Sequence, residues 1–160
     1  MTKKLHTLDL ECESDYILFC LHTTLEDYRL AYFINKYLNI SLVRRPEDLD
    51  FKENGAVYSL YEYYDTSFFL TYNLITNKHL EVKYKASKKN ALFYNTLLSE
   101  TQVSYLINDK KQVDYFLKIS GDVSLQQQNC ILDKLNTIQQ VLTCYPIDPE
   151  SIKQNTHLIF

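Results

Sequence analysis

Residues 16–40, YILFCLHTTLEDYRLAYFINKYLNI, decide the fold. Tyr16 to Leu21 is a short unbroken apolar run rich in aromatic and branched residues, the mark of a strand covered on both faces. His22, Thr23 and Thr24 break it. Thr23 stands three residues before Glu26 and Thr24 three before Asp27, the spacing of a helix start in which a hydroxyl caps a free N–H. Leu30, Phe33, Ile34, Tyr37 and Leu38 then follow at three- and four-residue steps, which is one apolar stripe. Asn39 suits a helix end because asparagine tolerates the left-handed conformation. Ile40 to Val43 reads as a second strand, so the stretch predicts a right-handed strand–helix–strand unit with parallel strands.

The pattern returns near the end of the chain. Val113 to Ile119 reads as a strand, with Tyr115, Leu117 and Ile119 facing one way. Ser124 stands three residues before Gln127, a capping-box spacing. Leu125, Ile131, Leu132, Leu135, Ile138 and Leu142 approximate a helical stripe, and Val141 to Ile147 is strand-like, ended by Pro146 or Pro149. Halves at 16–44 and 113–148 predict a single α+β domain over 1–160 in a ferredoxin-like β-α-β-β-α-β layout, with both helices on one face of an antiparallel sheet.

Residues 45–108 form a β-rich insertion between the halves. Arg44 to Phe51 reads as a loop, Asn54-Gly55 as a turn, and Ala56–Tyr64 and Phe68–Ile75 as a hairpin. Leu80, Val82 and Tyr84 alternate with lysines and an acid, which predicts a third strand; Val103 to Ile107 is another. Ala86 to Asn90 is polar, and Ala91 to Leu98 is a short helix or an extended segment. Residues 1–15 alternate weakly and suit an edge strand. The tail, 149–160, ends in Leu158-Ile159-Phe160, an apolar tripeptide expected to dock.

Helix Leu25 to Ile40, with Asp48-Leu49-Asp50-Phe51 and the closing Leu158-Ile159-Phe160, resembles the small bacterial proteins of the IPExxxVD family. That family has no assigned activity, so the resemblance implies no catalytic residues.

The chain has 160 residues with a net charge of −3, and 46% of it is hydrophobic. The length suits one core without staples. The acidity argues against nucleic-acid or anionic-membrane binding. No apolar run reaches membrane-spanning length, and the N-terminus lacks a signal-peptide core, so a cytoplasmic location is expected. Cys12, Cys20, Cys130 and Cys144 form no CxxC pair and read as reduced, mostly buried thiols. Nothing in the sequence implies a cofactor or a metal.

Three sets of residues carry what functional signal there is. His22, Thr23 and Thr24 at a helix start, with Arg44 and Arg45 after the second strand, make an anion pocket if both strands end on one side of the sheet. Asp48, Asp50 and Glu53 carry metal-ligand chemistry without an EF-hand pattern. Lys83, Lys85, Lys88 and Lys89, near Tyr84 and Phe93, form a basic run without the glycine-bearing pattern of RNA-binding sheets.

Tyr58, Tyr61, Tyr63, Tyr64 and Tyr72 make both faces of a hairpin aromatic, as a core or an interface requires. The leading reading is a non-enzymatic binding or regulatory domain, with a homodimer through the sheet as one way to cover it. The alternative is a small-anion or metabolite binder, or an enzyme, at His22–Thr24 with Arg44 and Arg45.

Overall fold

The computed structural model describes residues 15–51, 55–85 and 98–160. The architecture is α+β and β-rich: the described residues form two α-helices and ten strands, all paired antiparallel. The strands are β1 (Tyr16–Thr23), β2 (Val43–Arg44), β3 (Leu49–Phe51), β4 (Ala56–Tyr58), β5 (Leu60–Asp65), β6 (Leu70–Thr76), β7 (Lys78–Lys85), β8 (Leu98–Tyr105), β9 (Tyr115–Ser120) and β10 (Val141–Ile147). The helices are α1 (Asp27–Leu38) and α2 (Leu125–Thr137). One six-stranded sheet runs β10-β1-β9-β6-β5-β2; β3-β4 and β7-β8 are separate two-stranded sheets.

Alternation along β1 and β9 sorts the core into two layers. Phe19, Leu21, Leu74, Leu117 and Ile119 meet Leu30, Ala31 and Ile34 of α1 and Leu135 of α2 on the helical face. Leu18, Cys20, Ile75 and Phe116 point the other way. Neither described α-helix covers them; Ala56 and Tyr58 of β4, Leu106, Ile107, Val113 and the tail residues Ile152 and Leu158 do. The insertion and the tail therefore close the second face within the chain. Lys118 lies on that face, with its ammonium donating to the Leu158 carbonyl at 2.6 Å between the Tyr16 and Phe160 rings. Burial pushes its pKa down. Leu158 docks as expected, while Ile159 stays exposed.

Leu125 and Leu142, read on the helical stripe, are both exposed, Leu142 on β10, and β9 starts at Tyr115; in outline the second half follows its sequence reading, with β9, α2 with a complete Ser124–Gln127 capping box, and β10 beside β1. The first half does not. Ile40 to Leu42 form no strand; β2 is two residues long and pairs with β5 at the far edge, four strands from β1. The Asn35 amide accepts from the Leu42 N–H at 2.7 Å and donates to the Leu42 carbonyl at 3.1 Å, which closes one edge of the chain there. In α2, Asn136 binds Cys144 the same way, at 2.9 and 3.0 Å, but Cys144 still pairs with Leu21 on its other side.

Other boundaries also move. The Thr23 and Thr24 caps do not form; Glu26 is the N-cap and its side chain makes no capping bond. The expected strand 56–64 breaks at Ser59, whose N–H donates to Thr76 Oγ1 at 2.9 Å, so β4 leaves the main sheet. Phe68 and Phe69 stay in the turn before β6, with Phe69 at a φ of 55°. The Val103–Ile107 strand belongs to β8, which pairs with β7 as a ribbon; Leu106 and Ile107 leave it and enter the core. The expectations for residues 1–14, 52–54 and 86–97 lie outside the described residues.

Candidate functional site

The anion pocket read from sequence is not assembled. His22 follows Leu18 and Cys20 on the helix-free face, where its ring stacks on Tyr145 at 5.7 Å with Nε2 3.4 Å from the hydroxyl. Thr23 is buried: its N–H donates to Asp114 at 3.0 Å and its hydroxyl donates to the Gln140 carbonyl at 2.8 Å and accepts from the Leu25 N–H. Thr24 is exposed. Arg44 lies opposite Tyr61, which faces the helices, so the sheet separates it from His22.

The helix end is already filled from within. The Asp27 carboxylate accepts from the Tyr28 N–H at 2.7 Å, where an external anion would sit. Arg44 bridges that carboxylate at 3.5 Å and Asp48 at 2.8 Å. Arg45 reaches Glu62 at 3.6 Å instead. Beneath this group Tyr115 donates to the Leu25 carbonyl at 2.7 Å; burial, then the nearby Asp27 and Asp114 carboxylates, push its phenol pKa up. These groups hold α1 to the sheet.

The tyrosines divide as a core would divide them. Tyr58 is buried on the helix-free face, Tyr61 and Tyr72 on the helical face, and Tyr63 packs against the latter; Tyr64 is exposed. Burial by the chain itself leaves Tyr64 as the one ring of the five open to a partner. Cys20 and Cys144 are buried on opposite faces, so neighbouring strands do not make them a dithiol. Burial pushes their pKa values up to about 11 and about 12, which keeps them protonated and unreactive. Asp48 is spent on Arg44, and no metal-holding group of His, Cys, Asp or Glu occurs among the described residues. Lys83 bridges Glu81 at 3.2 Å and donates to Gln102 at 2.8 Å. Lys88, Lys89 and Phe93 are outside the described residues.

An apolar stripe runs along the β7–β8 ribbon. Leu80 lies directly opposite Val103, with Val82 two residues along on the same face. All three are exposed, at 65%, 40% and 48%. The opposite face carries Glu81, Lys83, Glu100 and Gln102. The sequence signal was the alternation 80–84, which specifies a strand but does not say whether anything covers it.

One side chain fixes the ribbon's base. Asn77, fully buried between β6 and β7, donates to the Lys110 and Val113 carbonyls at 2.8 and 2.9 Å and accepts from the Ile107 N–H at 2.9 Å. Lys78 beside it bridges Asp114. The ribbon is thereby tied to the segment leading into β9.

No family model, no curated protein and no solved structure matches the chain. No described helix is long and apolar enough to cross a membrane.

Proposed function

We propose that the protein is a non-enzymatic binding domain whose docking element is the β7–β8 ribbon. The observation that carries this reading is the open apolar stripe Leu80, Val82 and Val103 on a two-stranded ribbon with a polar back. A lone two-stranded ribbon is marginal in water, and an apolar face gains most when a partner covers it. The groups that would do chemistry are meanwhile spent: Arg44 bridges Asp27 and Asp48, Thr23 binds Asp114 and the Gln140 carbonyl, and the buried thiols are protonated. The strand order β10-β1-β9-β6, with helices following β1 and β9, supports a ferredoxin-like frame in which β6 takes the place expected of 40–43, extended by β5 and β2. Kinship with the IPExxxVD family rests on the α1 stretch and is part of the same proposal.

A photo-crosslinking amino acid at position 80 tests the reading. It should give discrete adducts in cells, whereas the same group at Tyr28, exposed on α1, should give none. A similar diffuse smear from both positions would overturn it.

A further inference from the structure

We infer that the outer edge of β8 is a self-pairing edge, which joins two copies of this chain into one four-stranded ribbon. The inference rests on the ribbon as the docking element and names its partner.

The argument starts from the other edges. An exposed strand edge is a template for unwanted pairing, and proteins guard it with proline, lysine, short length or cover. β10 carries Pro146, and Asn136 occupies the N–H and carbonyl of Cys144. β2 is two residues long and follows Leu42, whose main chain Asn35 has taken. β3 and β4 are three residues each. β7 carries Lys78, Lys83 and Lys85, and His79 Nδ1 lies 2.9 Å from the Val57 carbonyl of β4. β8 differs from all of these. It is eight residues long, LSETQVSY, with no lysine, arginine or proline and one charge, Glu100. Among the described residues it has no second strand neighbour.

Its charge pattern fits a second copy. Antiparallel pairing about Gln102 sets Glu100 opposite Ser104 of the second copy and Thr101 opposite Val103, so no like charges meet across the seam. The lysines of β7 lie one strand back. The two apolar stripes come to the same side and join, and each ribbon gains the extra strands that independent stability requires. One strand edge buries less than the roughly 1,600 Å² of a standard interface, so the dimer is weak and concentration-dependent.

Light scattering from micromolar to millimolar chain tests this. The mass should climb from 19.0 kDa toward twice that value. Gln102→Lys puts two ammonium groups face to face and should hold the mass at the monomer. Mixing Gln102→Lys with Gln102→Glu should restore the dimer. Gln102 is exposed but accepts from Lys83, so thermal unfolding of each variant is measured beside its mass; if one is destabilised, Thr101→Lys, which sets a lysine against Val103 of the second copy, should also hold the mass at the monomer. A constant monomer mass, or a Gln102→Lys chain that dimerises like the parent, overturns the inference. A monomer that still gives discrete adducts to another protein from position 80 overturns the self-pairing alone and leaves the docking role of the ribbon standing.

Discussion

β9 and β7 both set apolar residues at every second position, and β9 adds Phe116 between them; one is the centre of the core and the other is half in water. Along β9, Tyr115, Leu117 and Ile119 meet the helices, and Phe116 between them meets the tail and β4. Along β7, Leu80 and Val82 face solvent, while on the ribbon's back Lys83 bridges Glu81 of its own strand and donates across to Gln102. Alternation fixes which residues share a face. Covering that face requires other elements, and β7 extends beyond them, past Asn77. The six-stranded sheet has both faces closed within the chain, while Leu80, Val82 and Val103 of the ribbon stay exposed.

That contrast can be broken by substitution. Phe116→Ala empties a fully buried site and should cost about 3–5 kcal/mol in urea unfolding. A cost under about 1 kcal/mol would mean that the helix-free face is poorly packed. Asn77→Ala strands the Ile107 N–H and two carbonyls and should cost about 2–3 kcal/mol, with faster hydrogen exchange at the Ile107 amide. Leu80→Ser, on the open stripe, should change stability by no more than about 0.5 kcal/mol. If it costs as much as Asn77→Ala, the stripe is covered in the monomer and the contrast with β9 fails.

Alkali sharpens the same contrast. Burial raises Cys20 to about 11 and Cys144 to about 12 from 9.0, and raises the phenols of Tyr58, Tyr61, Tyr72 and Tyr115. The unfolded chain releases these protons first, so the stabilisation is complete below pH 9 and is lost as pH rises through the folded values. Urea midpoints should fall steadily above pH 9. Constant midpoints up to pH 11 would mean that these groups ionise freely in the fold. The ribbon holds no buried thiol among its described residues, so alkali should weaken the sheet first.

Much of the frame was legible before the structure. β1, α1, β9, α2 and β10 announce themselves because long periodic runs and the Ser124–Gln127 box act locally. The destination of residues 40–44 was not legible. The Asn35 amide meets Leu42 there, and an asparagine on a helix surface looks the same whether it binds water or main chain. Asn77 was silent for a similar reason: between two strands it reads as a turn residue, while its burial comes from Ile107 and Val113, about thirty residues away. The anion site was misplaced by one consequence of the same error. Parallel strands at 16–21 and 40–43 would bring His22 and Arg44 out at one end of the sheet, whereas three strands lie between β1 and β2 and the two side chains stand on opposite faces.

Lys118 gives the tail a role in synthetic terms, that of a protecting group. Its amine is held against the Leu158 carbonyl between two rings, beyond the reach of acylating or methylating reagents that modify surface lysines. Any event that lifts residues 152–160 deprotects it. The fraction of chains acylated at that nitrogen would then report the fraction in which the tail had opened.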